Sequence, residues 1–159
     1  MSLKDNPKWT EFVGQIHYLP TYLKSLSSLL QRDVKKEELV PLTESDVFFK
    51  KYLNQPREII YQKILNFTDK SSLINIVHEH ISEWEVPYMI YLCEVEYCGL
   101  LEIPSLSCFN WNFQFNDEQD GLIGFIRKDA CEKILLDFYE EYSQLFIEIK
   151  IERVNNNAT

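Results

Sequence analysis

The sequence predicts an α+β fold, with a helical N-terminal half packed on a mostly antiparallel four-stranded sheet and one further helix before the last strand. Three observations lead there. Apolar residues recur at helical spacing as far as Ile81, the period switches to two after Pro87, and the early period-two segments are joined by hairpin-length links. The 159 residues fit one domain over 1–154, with 155–159 as a frayed tail. At 45% apolar and 14% aromatic, a chain of this size can bury a core without metal or disulfide.

The helical half reads as follows. Asn6 and Pro7 form a start signal, a side-chain acceptor followed by a residue with preset φ. Trp9, Phe12, Val13 and Ile16 follow on one stripe until Pro20, which ends or kinks the helix. A second segment carries Tyr22, Leu23, Leu26, Leu29 and Leu30. After a charged connection over 32–42, Thr43 or Ser45 can cap a helix holding Val47, Phe48, Tyr52 and Leu53. Pro56 suits the first turn of a helix with Ile59, Ile60, Ile64 and Leu65. Asp69 or Ser71 opens another, with Leu73, Ile74, Val77 and Ile81 inward.

The strands come next. Tyr91, Cys93, Val95 and Tyr97 alternate with Leu92, Glu94 and Glu96, and Phe109, Trp111, Phe113 and Phe115 alternate with Asn110, Asn112 and Gln114. Residues 116–121 read as a hairpin loop in which Gly121 relieves φ strain, and 122–127 as the third strand. Asp129 can cap a helix with Cys131, Ile134, Leu135 and Phe138 on its apolar stripe. Ile147, Ile149 and Ile151 alternate with Glu148, Lys150 and Glu152 in the final strand.

Charge is divided unevenly. Residues 1–80 carry 11 Lys and Arg against 10 Asp and Glu, whereas residues 81–159 carry 5 against 15, so a net −10 lies in the β-rich half of a chain whose total is −9. A field of one sign bears on partners and solubility rather than on fold, and it points to a basic partner. It also argues against direct nucleic-acid binding, because phosphate contacts need Lys and Arg. No apolar run approaches the ~20 residues of a membrane span and residues 1–9 show no signal-peptide pattern, so a cytoplasmic protein is expected.

Motifs for chemistry are missing. Cys93, Cys98, Cys108 and Cys131 match no zinc or redox spacing and read as small hydrophobes. His78 and His80 stand two apart, which on a helix points them to different sides, whereas helical zinc ligands stand four apart. His17 has no nucleophile beside it in sequence, and Cys131, on an apolar stripe, is expected to be buried. Residues 117–121 lack the alternate oxygen ligands and terminal Glu of a calcium loop, and Gly121 and Gly124 form no phosphate-binding loop. No enzyme, metal or cofactor is therefore expected.

The carboxylates remain: Glu94 with Glu96, Asp117, Glu118 and Asp120, Glu140 with Glu141, and Glu148 with Glu152. As solvated groups in similar settings they do not suit acid–base catalysis, which needs carboxylates with differing pKa values. Among the aromatics, most of which are core, Tyr88, Tyr97, Tyr139 and Tyr142 neighbour acidic residues and suit an interface. The expected partner-binding set is Glu94, Glu96, Asp117, Glu118, Asp120, Glu140, Glu148, Glu152, Tyr97 and Tyr139.

A glycine-led strand (Gly121-Leu122-Ile123-Gly124-Phe125-Ile126), an acidic helix (134–141) and a charged alternating strand follow one another over 121–152. In that arrangement, and as a small acidic chain without a catalytic motif, the protein resembles bacterial immunity proteins of the contact-dependent growth inhibition type. The resemblance spans about a fifth of the chain and transfers no residue roles. It implies a tight one-to-one partner, a basic toxin that is usually a nuclease, whose phosphate-binding surface an acidic protein can occupy. The expected function is thus an immunity protein that neutralises a secreted toxin. The alternative is a non-catalytic adaptor or regulatory protein-binding module. A deep pocket with convergent, shifted titratable groups would instead favour an enzyme.

Overall fold

Alternating burial along the C-terminal half, joined by one strand from the N-terminal half, builds a single sheet. The computed structural model describes residues 7–69, 71–114 and 121–155, with side chains from residue 13 onward. In chain order it forms α1 (Pro7–Leu30), α2 (Leu42–Leu53), β1 (Arg57–Asn66), α3 (Ser71–His80), β2 (Tyr88–Leu92), α4 (Val95–Cys98), β3 (Leu101–Ile103), β4 (Gly121–Arg127), β5 (Glu132–Glu141) and β6 (Gln144–Val154), with short 3-10 turns between some of them. The six strands lie in the order β1-β6-β5-β4-β2-β3. Every pairing is antiparallel.

The α+β class and the antiparallel sheet agree with expectation. The strand count does not: there are six strands rather than four, and helix α4 follows β2 in the second half. Two segments expected as helices are strands. Residues 57–66 form β1, where Pro56 precedes a strand instead of opening a helix. The segment after Asp129 forms β5, in which Glu132, Ile134, Leu136 and Phe138 are buried at every second position. There Ile134, Leu136 and Phe138 face Ile151, Ile149 and Ile147 of β6. This cross-strand aliphatic seam decides in favour of the strand. The "acidic helix" of the resemblance is therefore a strand.

The alternating aromatics of 109–113 are inward, as their period suggests, yet they form no strand. The segment slides beneath α1, where the Asn110 N–H donates to Leu29 O at 2.8 Å and the Asn112 N–H to Asn110 Oδ1 at 3.1 Å. Those bonds replace a ladder partner. Phe109 meets Phe125 edge-on at 5.0 Å and Trp111 stacks on the same ring at 5.6 Å. Phe115 lies outside the described residues. The expected strand over 91–97 is likewise cut short, because β2 ends at Leu92 and α4 begins at Val95.

Helices cover both faces of the sheet. On one side Tyr22, Leu26 and Leu30 of α1 and Leu73 and Val77 of α3 pack with Ile90, Phe125, Ile134, Leu136, Ile147, Ile149 and Ile151. On the other, Tyr52, Phe48 and Phe49 of α2 pack with Met89, Tyr91 and Ile126. A Cβ on Gly124 would collide with the Tyr91 ring, and one on Gly121 with Phe138, so both glycines answer to space. Neither has positive φ, which corrects the strain expected at Gly121. Helix α1 runs straight through Pro20. The missing N–H would have paired with the Ile16 carbonyl, and the residue at that position is exposed. Val13 and Ile16 are accordingly exposed rather than inward.

Two hydroxyl groups fasten the helices to the β2–β3 connection. Tyr22 Oη donates to Gly99 O at 2.6 Å, and burial holds that phenol's pKa far above its ordinary value. Ser45, expected as a possible cap, is instead buried: its Oγ accepts from the Leu100 N–H at 3.1 Å and donates to Val40 O at 3.3 Å. At the other terminus, the Asn155 N–H donates to Pro56 O at 2.8 Å, and 156–159 lie outside the described residues.

The carboxylate of Glu132 is fully buried in β5. Arg127 Nη1 donates to Oε2 at 3.2 Å, Arg153 Nη2 to Oε1 at 3.3 Å, and the Ser82 N–H to Oε1 at 3.0 Å. Arg153 Nη2 also donates to His80 O at 2.8 Å, so one acid joins β4, β5, β6 and the end of α3. Removing one member of a buried ion network strands the others, at a cost of about 3–5 kcal/mol. Glu132→Ala is expected to lower unfolding stability by that amount in urea titration. A loss under about 1 kcal/mol would contradict this role.

Candidate functional site at the carboxylate end of the sheet

The register places one end of the sheet in a single electrostatic setting. Leu92 pairs with Ile123, Ile123 with Leu136, and Leu136 with Ile149. The β2–β3 connection and the β5–β6 turn therefore leave the sheet at the same end. Only β4 separates β2 from β5, so the two features stand about 10 Å apart across the strands. The connection carries Glu94, Glu96 and Tyr97, and the hairpin carries Asp137, Tyr139, Glu140, Glu141 and Glu148.

The opposite end holds the cations. Arg127 pairs with Asp129 and Glu132, Lys128 with Glu102, and Arg153 with Glu132. Arg57 and Lys150 both reach Glu152. Lys133 lies 5.7 Å from the centre of the Tyr52 ring. All five Lys and Arg of residues 81–159 are thus placed at or beyond the middle of the sheet. Among the described residues, no ion pair involves Glu94, Glu96, Asp137, Glu140, Glu141 or Glu148.

The expected partner-binding residues divide accordingly. Glu94, Glu96, Glu140 and Glu148 are at the carboxylate end, with Tyr97 and Tyr139. Glu152 is not: it accepts from Tyr52 Oη at 2.8 Å, meets Arg57 and Lys150, and is largely covered by its own chain. Asp117, Glu118 and Asp120 lie outside the described residues. Tyr97 stacks on Tyr18 of α1 with ring centroids 5.0 Å apart, and a hydrogen bond to Glu96 raises its pKa. Tyr88 is fully buried, its hydroxyl donating to Glu83 O at 2.8 Å, so it is no interface residue.

Two residues of this surface, Asp137 and Phe146, were not selected from the sequence. Asp137 sits directly opposite Glu148 on the face turned away from α1. Like charges in that position destabilise a sheet. Partial burial first, and the Glu148 charge second, raise the Asp137 pKa. Tyr139 faces Phe146 across the next pair, with centroids 5.7 Å apart. Burial, then the fields of Glu141, Glu148 and Asp137, raise the Tyr139 pKa, which places those carboxylates around one ring. Leu135, Tyr139 and Phe146 lie outside the layer packed under α2, and Ile64 beside Glu148 is 53% exposed. This part of the sheet face is a mixed acidic and apolar surface. The pair Asp137–Glu148 could have been found in the sequence only with the β5–β6 register in hand.

The remaining candidates for chemistry are engaged elsewhere. His78 stacks on Trp84 at 3.8 Å, and His80 Nδ1 lies 2.8 Å from Ile76 O beside the Tyr61 ring. Trp111 is core, its Nε1 donating to Leu106 O at 3.0 Å. Cys131 is half-buried in the β4–β5 turn, not on a helix. Among the described residues no group of three His, Cys, Asp or Glu is placed to hold a metal ion. A cleft of about 260 Å³ between α1 and the entry to α2 is lined by Gln15, Lys36, Thr43 and Cys98. Burial pushes the Cys98 thiol up to about 12, leaving it protonated and a poor nucleophile. Among the described residues, no helix is long and apolar enough to cross a membrane.

No family model matches the chain, and no curated protein or solved structure matches it either.

Because the folded Asp137 carboxyl holds its proton more tightly than the unfolded one, it favours folding below the ordinary carboxylate range, and this contribution is lost as pH rises through the folded value. Asp137→Asn should therefore raise stability at pH 7 by a few tenths to about 1 kcal/mol, the exposure of the site keeping it toward the lower figure. The gain should vanish near pH ~3, where both states are protonated. Urea midpoints at the two pH values check it, and a variant less stable at pH 7 would show that the pair is not repulsive.

Proposed function

We propose that this chain is an immunity protein that binds and neutralises a cognate basic toxin, a nuclease, at the carboxylate end of its sheet. The observation that carries the reading is the separation of charge along the strands. The cations of the C-terminal half are engaged at one end, and six carboxylates at the other have no cationic partner among the described residues. An uncompensated acidic surface costs self-repulsion, which a cationic partner relieves. Tyr97, Tyr139 and Phe146 add aromatic area, of the kind that anchors protein interfaces.

A nuclease binds phosphate through a basic surface, and an array of carboxylates can occupy that surface. Opposed fields raise association rates to about 10⁸–10⁹ M⁻¹s⁻¹ at low salt. Speed suits an inhibitor that must reach its toxin before the toxin reaches its substrate. In this reading the protein works in the cytoplasm without a cofactor. The mixed apolar surface around Ile64 and Phe146 also suits the second reading, a non-catalytic adaptor, whose partner would be a housekeeping protein rather than a toxin.

The experiment mixes the purified chain with the protein encoded beside its gene. Toxin activity should disappear at equimolar chain, and activity that persists in molar excess would end the proposal. Replacing Glu94, Glu96, Glu140 and Glu141 by Lys should slow association at low salt by about tenfold or more and weaken its salt dependence, with a smaller effect on dissociation. An unchanged association rate at low salt would remove these carboxylates from the contact.

A further inference from the structure

We propose that the β5–β6 hairpin is a docking finger, and that Tyr142 at its tip anchors the chain by entering an apolar pocket rimmed by Lys or Arg on a cationic protein partner. The inference deepens the toxin-binding reading and rests on it. It starts from where the hairpin leaves the sheet. Pairing of β4 with β5 ends at Gly121 opposite Phe138, and pairing of β1 with β6 ends at Asn66 opposite Phe146. Beyond those pairs, Tyr139–Glu141 and Gln144–Leu145 pair only with each other among the described residues, so a two-stranded ribbon extends about 10 Å past the last described pairs, its base held by Leu145 against the core. The Tyr139–Phe146 ring pair stiffens its base.

The tip is built against local preference. Glu141 pairs with Gln144, leaving a two-residue turn of Tyr142 and Ser143 with φ 52 and 61. Both angles are left-handed, the geometry of a type I′ turn, for which Asn-Gly is the favoured sequence. A tyrosine there bears backbone strain and is left 92% exposed, so the fold draws no burial from its ring. A rigid ring with few rotatable bonds does suit insertion into another protein, because little side-chain entropy is lost on docking.

Charge selects the occupant. Asp137, Glu140, Glu141 and Glu148 flank the finger, and no Lys or Arg lies between residues 134 and 149. A second copy of this chain would bring the same carboxylates against these, whereas a pocket with a cationic rim would neutralise them. Division of labour follows: the carboxylates set the approach and Tyr142 sets the residence time.

Surface plasmon resonance on the immobilised protein encoded beside the gene tests this with wild type, Tyr142→Phe, and the double variant Tyr142→Asn with Ser143→Gly. The double variant should melt about 2–6 °C higher than wild type, since its turn is relaxed. Its dissociation should be at least about tenfold faster, with association within about twofold. Tyr142→Phe should retain dissociation within about threefold of wild type, because the ring is kept. Dissociation of the double variant equal to wild type overturns the finger and leaves the acidic-end reading standing. Wild type that does not bind overturns both. A wild-type dimer that the double variant converts to monomer, seen by light scattering, makes a second copy the occupant and also overturns the proposal.

Discussion

A single buried carboxylate organises the charge of this molecule. Glu132 lies inside the layer between sheet and helices, where an unpaired anion would be expelled from the fold. It is held by Arg127 and Arg153, and Arg153 in turn reaches the carbonyl that ends α3. On the opposite face Glu152 gathers Arg57, Lys150 and the Tyr52 hydroxyl. The two acids sit one residue apart along the same end of β5 and β6, since Glu132 faces Arg153 and Lys133 faces Glu152. Holding them there draws cations to that end. The other end is left with carboxylates, and its negative field follows from what the core requires.

The hairpin end then carries three properties together. It is acidic, it bears exposed aromatic and aliphatic side chains, and part of it extends beyond the last described pairs with β4 and β1. Each has a cost to the isolated chain: repulsion between Asp137 and Glu148, apolar surface in water, and a turn in left-handed geometry without glycine. The cationic partner proposed above would offset the first two directly and make use of the third. That coincidence favours binding over solubility as the purpose of the charge, because solubility alone would ask for dispersed carboxylates and a relaxed turn.

How much of this could be read from the residues depends on how far each signal is local. Helices α2 and α3, strand β4 and strand β6 were legible, because length and a sustained period agree within each segment. Residues 57–66 and 132–141 were misread as helices for one reason. Ile59, Ile60, Ile64 and Leu65, like Ile134, Leu135 and Phe138, satisfy helical spacing, while Ile134, Leu136 and Phe138 satisfy a period of two equally well. Only the isoleucines of β6, remote in sequence from β1 and facing both strands, decide between them. Phe109, Trp111 and Phe113 gave the opposite error: their burial was legible, but their backbone partner, Leu29 on α1, was not.

The site was legible as a charge imbalance and no finer. The split between the two halves of the chain singled out Glu94, Glu96, Glu140 and Glu148, yet it could not separate Glu152, which its own chain consumes, from its strand neighbour Glu148, which it does not. Nor could it show Asp137 against Glu148, a relation that exists only through register. The decisive observation is the location of the contact itself. Amide chemical-shift mapping of the labelled chain, titrated with the protein encoded beside its gene, reads that location residue by residue. Perturbations concentrated in 94–98 and 137–148 are expected; perturbations centred on Arg57, Arg127 and Arg153 with the hairpin unmoved would refute an interface built on the carboxylate end.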